Sequence, residues 1–178
     1  MARQLWLLRH ADAERLEVDL RGEREDSERR LTERGERQSR LAGAALARLG
    51  VDFETVLYSP KLRARETAEL AAECWPQELR ERLAAHAALA GDFGGQDALA
   101  LAAGTGADAR ILLVGHEPDM SRVVAELTGG RVELKKGGLA IVRLEGAGGE
   151  LLVAMRPREL ALLADPALSA VGAPAWGE

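Results

Sequence analysis

Three short, largely apolar segments run without alternation into polar residues, and they dominate the hydrophobic pattern of the chain. They cover residues 4–8, 55–58 and 110–114. Unbroken runs of this length are typical of strands that are buried on both faces of a parallel sheet. The pattern therefore predicts three buried strands, far apart in sequence.

Helical patterns separate and follow these strands. Thr32 is a predicted N-cap, because Glu33 and Glu36 follow it and complement the positive end of a helix. An apolar stripe at helical spacing runs from Leu41 to Leu49, and Gly50 ends it. Capping residues and apolar spacing predict further helices over residues 59–75, 96–103, 118–128 and 157–163.

The second helix has a strong start signal in Ser59-Pro60. Serine is predicted to cap it and proline to occupy its first position, and Pro76 is predicted to stop it. Two other stretches give weaker signals. Residues 79–90 fit a short strand followed by a loop, and the charged residues 12–30 fit a loop or a short helix.

Residues 139–144 and 150–155 are largely apolar and are separated by a glycine-rich turn, which indicates a β-hairpin. Together with the alternating strands and helices, this predicts an α/β fold, a three-layer α/β/α sandwich with a mostly parallel central sheet and an antiparallel edge. We expect one domain over residues 1–164 and a C-terminal tail over residues 165–178.

Composition narrows the class of protein. The chain has 178 residues, 47% hydrophobic and 30% charged, which is typical of a soluble globular protein. No apolar run approaches the roughly 20 residues of a membrane span. A net charge of -5 gives no support for nucleic-acid binding. The single cysteine, Cys74, excludes an intrachain disulfide and fits a reducing, cytoplasmic setting.

Polar residues with chemical potential follow each of the three strands. Arg9 and His10 follow the first strand, Ser59 and Arg63 follow the second, and His116 follows the third. Ligands of open α/β sheets bind beyond the carboxyl ends of the strands. We therefore expect these side chains to form one site.

Two arginines and two histidines at one sheet edge suit a dianionic phosphoryl group, because guanidinium donors match phosphate oxygens. A neutral histidine nitrogen can attack phosphorus and form a covalent phosphohistidine, and nearby guanidinium charges favour the neutral form. A second histidine can stabilise the developing charge. His10, Asp12 and His116 lack the tight spacing of a metal site.

These motifs resemble those of the histidine phosphatase superfamily, which has the phosphoglycerate mutase-like fold. Residues 8–11, Leu-Arg-His-Ala, resemble its Arg-His-Gly signature. Residues 59–67 match its Ser-Pro-x-x-Arg-Ala-x-x-Thr motif, and residues 114–118 match its second-histidine motif. Residues 29–35 and Gly91-Asp92 are similar to the SixA-type phosphohistidine phosphatases. The resemblance covers about residues 4–155.

The resemblance implies a phosphatase in which His10 is the nucleophile. Arg9, Arg63 and His116 would bind the phosphoryl group, and no metal or organic cofactor would be needed. Ala11 stands where the family has glycine, so the turn must accept a Cβ or carry strain.

The sequence does not decide which carboxylate is the proton donor. The superfamily places its acid either in a loop after the second strand–helix unit or directly after the second histidine. Asp92 corresponds to the first location and Glu117 to the second, and Asp12 is a weaker third candidate.

Leaving-group chemistry bears on the substrate. An alkoxide needs a proton, since its conjugate acid is about as weak as water with a pKa near 15. Imidazole leaves as a neutral ring from a protonated phosphohistidine, and imidazolium has a pKa of about 6.5. A poorly placed acid therefore favours protein phosphohistidine as substrate. The alternatives are a small phosphate ester and a non-catalytic phosphate-binding module, and no pattern indicates the oligomeric state.

Overall fold

A mixed sheet is the centre of the structure, a computed structural model that describes residues 2–15, 26–165 and 167. Within those residues the sheet has six strands, in the order β3-β2-β4-β1-β5-β6. The strands are β1 (Gln4–Arg9), β2 (Thr55–Tyr58), β3 (Leu83–Ala85), β4 (Arg110–Gly115), β5 (Leu139–Glu145) and β6 (Gly148–Met155).

Strand direction confirms the predicted fold class. Strands β1, β4, β2 and β3 run parallel, whereas β5 and β6 form an antiparallel edge beside β1. In this register Arg9 pairs with Gly115, and Tyr58 pairs with Val114. The residues that follow β1, β2 and β4 are thereby brought to the same edge of the sheet.

Helices cover both faces of the sheet. They are α1 (Glu33–Arg48), α2 (Leu62–Ala72), α3 (Gln77–Arg80), α4 (Gly95–Ala103), α5 (Asp119–Thr128) and α6 (Pro157–Ala164). Helices α1, α2 and α6 pack together, and α4 packs against α5. None of the helices within the described ranges is long and apolar enough to cross a membrane.

Two hydrophobic cores lie on opposite faces of the sheet, because successive side chains of a strand point to opposite faces. Trp6 and Leu8 pack into the core beneath α1, α2 and α6, whereas Leu5 and Leu7 pack into the core beneath α4 and α5. Burial of each such leucine stabilises the fold by about 1.5–3 kcal/mol. The first apolar segment therefore joins both cores and holds the site at its end.

The predicted N-cap of α1 is confirmed, since the Thr32 hydroxyl accepts a hydrogen bond from the Gly35 amide at 3.1 Å. The predicted start of the next helix is wrong. Helix α2 begins at Leu62, because the Ser59 amide continues the sheet by donating to the Val114 carbonyl. The Ser59 hydroxyl instead accepts from the Lys61 amide in a tight turn.

Helix α2 also ends earlier than predicted, at Ala72 rather than near Trp75. The Trp75 indole is buried and donates to the Gly43 carbonyl at 3.0 Å, so the chain turns inward before Pro76. The ambiguous residues 79–90 contain the end of α3, strand β3 and the 3₁₀ turn Ala87–Ala90.

The charged stretch is only partly described. Ala13 forms an isolated β-bridge with Leu31, and the 3₁₀ turn Asp26–Glu28 lies between these two residues in the sequence. Residues 16–25 lie outside the described residues, as does the predicted tail apart from Asp165 and Ala167. The single domain over residues 1–164 stays a prediction.

Replacing Gly43 with alanine is expected to destabilise the protein. A Cβ at this position would lie 1.9 Å from the Ala71 carbonyl oxygen, so α1 and α2 would have to separate. Overpacking of this kind costs about 1–3 kcal/mol, or about 2–12 °C in melting temperature for a chain of this size. Thermal unfolding measures the change.

The matched control is Gly104→Ala, where the nearest neighbour of a Cβ, the Leu101 carbonyl oxygen, lies 3.6 Å away. We expect its melting temperature to stay close to that of the wild type. Equal melting temperatures for the two variants would contradict the close helix contact.

Candidate active site

The site lies at the carboxyl edge of the sheet, where β1, β2 and β4 end. The imidazole rings of His10 and His116 lie 5.2 Å apart between centroids, and both side chains are buried. Arg63, from the first turn of α2, lies with its Nε 3.3 Å from His10 Nε2. Residues that follow three distant strands therefore meet.

His10 has a defined tautomer. Its Nδ1 lies 2.7 Å from the Ala11 carbonyl oxygen, which can only accept, so Nδ1 carries the proton. Nε2 then keeps its lone pair and accepts from Arg63 Nε. Burial, opposed by the hydrogen bond to the Ala11 carbonyl and assisted by electrostatic repulsion from His116, Arg63 and Arg9, lowers the pKa of His10 to about 3. His10 is thus neutral at neutral pH.

His116 has the same tautomer, but a different side of its ring is bound. Its Nε2 lies 2.8 Å from the Ser59 hydroxyl, which accepts from the Lys61 amide and has its own proton left to donate to the ring. With Ser59 as the donor, Nδ1 carries the ring proton. Burial, followed by the charges of Arg63 and Lys61, lowers the pKa of His116 to about 3. A neutral ring with one free donor results.

Three buried polar atoms of the site have no hydrogen-bond partner among the described residues: Arg9 Nε, His116 Nδ1 and Glu117 Oε1. Leaving such a group unsatisfied costs about 1–3 kcal/mol. The first two are N–H donors, and an oxyanion could accept a hydrogen bond from each. Arg9 is held by a 2.7 Å hydrogen bond from its Nη1 to the Leu134 carbonyl.

Of the three candidate proton donors, Glu117 is the one whose pKa is raised. Its side chain is half-buried, and burial raises its pKa, although a hydrogen bond with Ser121 and the charge of Arg9 oppose the increase. A raised pKa keeps more of the carboxyl group protonated near neutral pH.

Asp92 and Asp12 lie in different environments. Asp92 is exposed in the loop before α4, has a left-handed φ of 60°, and makes no hydrogen bond with the described residues. Asp12 is bound by Lys136 at 2.8 Å and by Thr32 at 2.9 Å. Burial would raise the pKa of Asp12, but these hydrogen bonds outweigh it and lower the pKa.

Ala11 fits its position without a left-handed backbone. Within the described residues Asp92 is the one residue other than glycine with positive φ. The Ala11 amide donates to Thr67 Oγ1 at 3.0 Å, and the Thr67 hydroxyl donates to the Arg63 carbonyl at 2.7 Å. The threonine that ends the Ser-Pro-x-x-Arg-Ala-x-x-Thr match thus joins the loop after His10 to the helix that carries Arg63.

Asp26 was missed by sequence reasoning. Its carboxylate accepts hydrogen bonds from Arg63 Nη2 at 2.9 Å, Arg29 Nη1 at 3.0 Å and Lys61 Nζ at 3.2 Å. Burial would raise its pKa, but these three donors hold the pKa well below its ordinary value. Asp26 follows a charged stretch without periodicity, so no local pattern distinguishes it.

The site can now be compared with known proteins. Residues 5–103 match the family model of the histidine phosphatase superfamily (branch 1). The chain belongs to this superfamily. The predicted family is therefore confirmed, and with it a phosphatase of the hydrolase class.

The most similar relatives include two bacterial proteins. An uncharacterised protein of Picosynechococcus is 34% identical over 170 residues, which cover 92% of this chain and 96% of the relative. The phosphohistidine phosphatase SixA of Escherichia coli is 31% identical over 147 residues, which cover 82% of this chain and 88% of that protein.

A solved structure gives the same result. The protein histidine phosphatase SixA in complex with tungstate superposes with a TM-score of 0.70 at 31% identity. The match covers 88% of this chain and 99% of the SixA chain. This histidine phosphatase is thus SixA-like over nearly the full length of its relative.

The two histidines are expected to stay neutral in the folded protein across the ordinary pH range. Their ¹⁵N ring shifts should be constant between about pH 5 and 8, because burial and the arginines lower both pKa values to about 3. In urea the same rings should titrate near pH 6.5. Protonation of His10 near pH 6.5 in the folded protein would contradict the lowered pKa and the neutral ring.

The free energy of unfolding should depend on pH through the same two histidines. Between about pH 6.5 and pH 3 the unfolded chain takes up protons on His10 and His116 that the folded chain excludes, so the free energy of unfolding falls as the pH decreases.

Proposed function

We propose that this protein removes the phosphoryl group from phosphohistidine on partner proteins, through a covalent phosphohistidine on His10. The observation that carries the proposal is the buried, neutral His10, whose Nε2 keeps an unprotonated lone pair beside Arg63 while its Nδ1–H is bound to the Ala11 carbonyl. Similarity to SixA supports phosphohistidine as the substrate class.

In the first step the phosphoryl oxygens accept hydrogen bonds from Arg9, Arg63 and His116. The Arg9 Nε–H and His116 Nδ1–H are donors without partners in the described part of the chain, so they bind an oxyanion without losing an existing hydrogen bond. Arg63 contributes its charge directly beside the attacking nitrogen. Preorganised donors of this kind stabilise charge that develops in the transition state.

His10 Nε2 then attacks phosphorus, and the bond from phosphorus to the substrate nitrogen breaks. The substrate ring carries a proton on its other nitrogen, so the leaving imidazole departs as a neutral ring. His10 becomes a cationic phosphohistidine that keeps its Nδ1–H on the Ala11 carbonyl. In the second step water attacks phosphorus and the bond to Nε2 breaks. Inorganic phosphate leaves with the protons of the water, and His10 returns to its neutral tautomer.

Glu117 is the proton donor for a leaving group that needs one. Its raised pKa and buried Oε1 suit a carboxyl group that is protonated before the leaving group departs. Asp92 is exposed, and Asp12 is held as an anion by Lys136 and Thr32, so neither has an equivalent environment.

The raised pKa of Glu117 also favours a second candidate function. A protonated carboxyl group can protonate an alkoxide, so hydrolysis of a small phosphate monoester on the same site is the alternative. The reaction as proposed uses no metal or organic cofactor. Among the described residues no cluster of three or more histidine, cysteine or acidic side chains is arranged to hold a metal ion. A cytoplasmic location stays a prediction from the single cysteine.

Replacing His10 with alanine is expected to reduce phosphate release from an aryl phosphate by about 10³-fold or more, because the covalent step is lost. After an acid-free quench, mass spectrometry should find acid-labile phosphate on the wild-type peptide that contains His10. The matched control is His86→Ala, which changes a histidine outside the cluster and should keep full activity.

Near-wild-type activity of His10→Ala would overturn the proposal. If the protein binds phosphate, releases none from a substrate and carries none on His10, it is a non-catalytic binding module.

Replacing Glu117 with glutamine should separate the two substrate classes. We expect a loss of about 10²-fold with an alkyl phosphate, whose leaving group needs a proton, and little change with a phosphohistidine carrier protein. Phosphate release from both substrates measures the difference. A wild-type protein that hydrolyses one small ester and no phosphohistidine would decide for the alternative function.

A further inference from the structure

The guanidinium of Arg63 is bound along two of its edges. Nη1 and Nη2 donate to the backbone carbonyl and the carboxylate of Asp26, at 2.5 Å and 2.9 Å. Nε donates to His10 Nε2 at 3.3 Å. The end of the guanidinium is therefore occupied by Asp26, while the Nε side faces the histidine.

This division determines which donors a phosphoryl group can meet. A guanidinium binds an oxyanion with two parallel N–H groups, either at its Nη1–Nη2 end or along its Nε–Nη2 side. Asp26 holds the end, and the side is next to His10 Nε2, where phosphorus must lie for attack. The ion pair with Asp26 thus keeps the Nε–Nη2 side of Arg63 available to a phosphoryl group at His10.

Asp26 is itself fixed in place. Lys61 and Arg29 bind its carboxylate at 3.2 Å and 3.0 Å, in addition to Arg63. Lys61 also precedes α2 directly, and its amide binds the Ser59 hydroxyl that orients His116. The carboxylate therefore connects the turn Asp26–Glu28 to the start of the helix that carries Arg63.

We propose that Asp26 is a positioning residue, which holds the Arg63 guanidinium by its Nη end so that its Nε edge faces His10 and the phosphoryl group. The inference rests on the proposed function, because only there does Arg63 bind phosphate. Asp26 does not touch the reacting atoms, and it acts through Arg63.

A different role for the same contact makes the opposite prediction. If the carboxylate were a competing anion that phosphate must displace, its removal would strengthen oxyanion binding. If it positions Arg63, its removal weakens binding, because a mobile guanidinium loses more freedom when it binds.

Inhibition of the full-length protein by orthovanadate distinguishes these roles. We expect Asp26→Ala to weaken vanadate inhibition about 10- to 100-fold, the usual range for hydrogen bonds to charged groups. Asp26→Asn should restore most of the affinity, because its amide oxygen still accepts from Nη2. The control is Asp52→Ala, which removes an exposed partner of Arg82 at the other end of β2 and should leave inhibition unchanged.

A double-mutant cycle tests whether the effect passes through Arg63. In an Arg63→Ala background, Asp26→Ala should cause no further loss of vanadate affinity, whereas a general structural role would give additive losses. Unchanged or stronger inhibition of Asp26→Ala in the wild-type background would overturn the inference.

Nuclear magnetic resonance gives a readout that does not depend on activity. The Arg63 Nε–H should give a resolved, slowly exchanging signal in the wild type and a rapidly exchanging one in Asp26→Ala. An equally protected signal in both proteins would contradict positioning even if the chain proved not to be a phosphatase. If Asp26→Ala loses that protection and the wild type releases no phosphate, the positioning of Arg63 by Asp26 stands and the proposed phosphatase activity is overturned.

Discussion

The hydrogen bond from His10 Nδ1 to the Ala11 carbonyl determines the chemistry of the site. It places the ring proton away from Arg63, so the lone pair of Nε2 lies toward the cationic side chains. Burial then keeps the ring neutral, and repulsion from His116, Arg63 and Arg9 acts in the same direction. Without this bond the other tautomer would present an N–H to the phosphoryl group, and attack would be impossible. The other contacts of the site therefore serve to keep His10 Nε2 unprotonated and directed at the phosphoryl group.

The two histidines show how neighbouring groups divide their roles. The Ala11 carbonyl accepts from His10, so His10 offers a lone pair. The Ser59 hydroxyl donates to His116, so His116 offers a proton. Two identical side chains, both neutral and 5.2 Å apart, thereby become an electron-pair donor and a hydrogen-bond donor. The distinction comes from the backbone and a serine rather than from the rings.

Much of the architecture could be predicted from sequence, because the strands follow a strong apolar pattern. Residues 4–8 and 110–114 each extend by one residue in the structure, and the edge hairpin lies where the glycine-rich turn predicted it. The start of α2 could not be predicted, since Ser59 is taken by the sheet and by His116. Asp26 could not be found because its importance depends on Arg63, 37 residues away in sequence.

The order of the strands has a consequence for how the chain can be divided. Strand β4 lies between β1 and β2 in the sheet, although it follows both in sequence. A fragment that ends before residue 110 would therefore contain His10 and Arg63 without the strand that sets their separation. The central position of β4 therefore makes the site depend on chain from both sides of that point, and a fragment on either side lacks part of the sheet edge that holds the histidines.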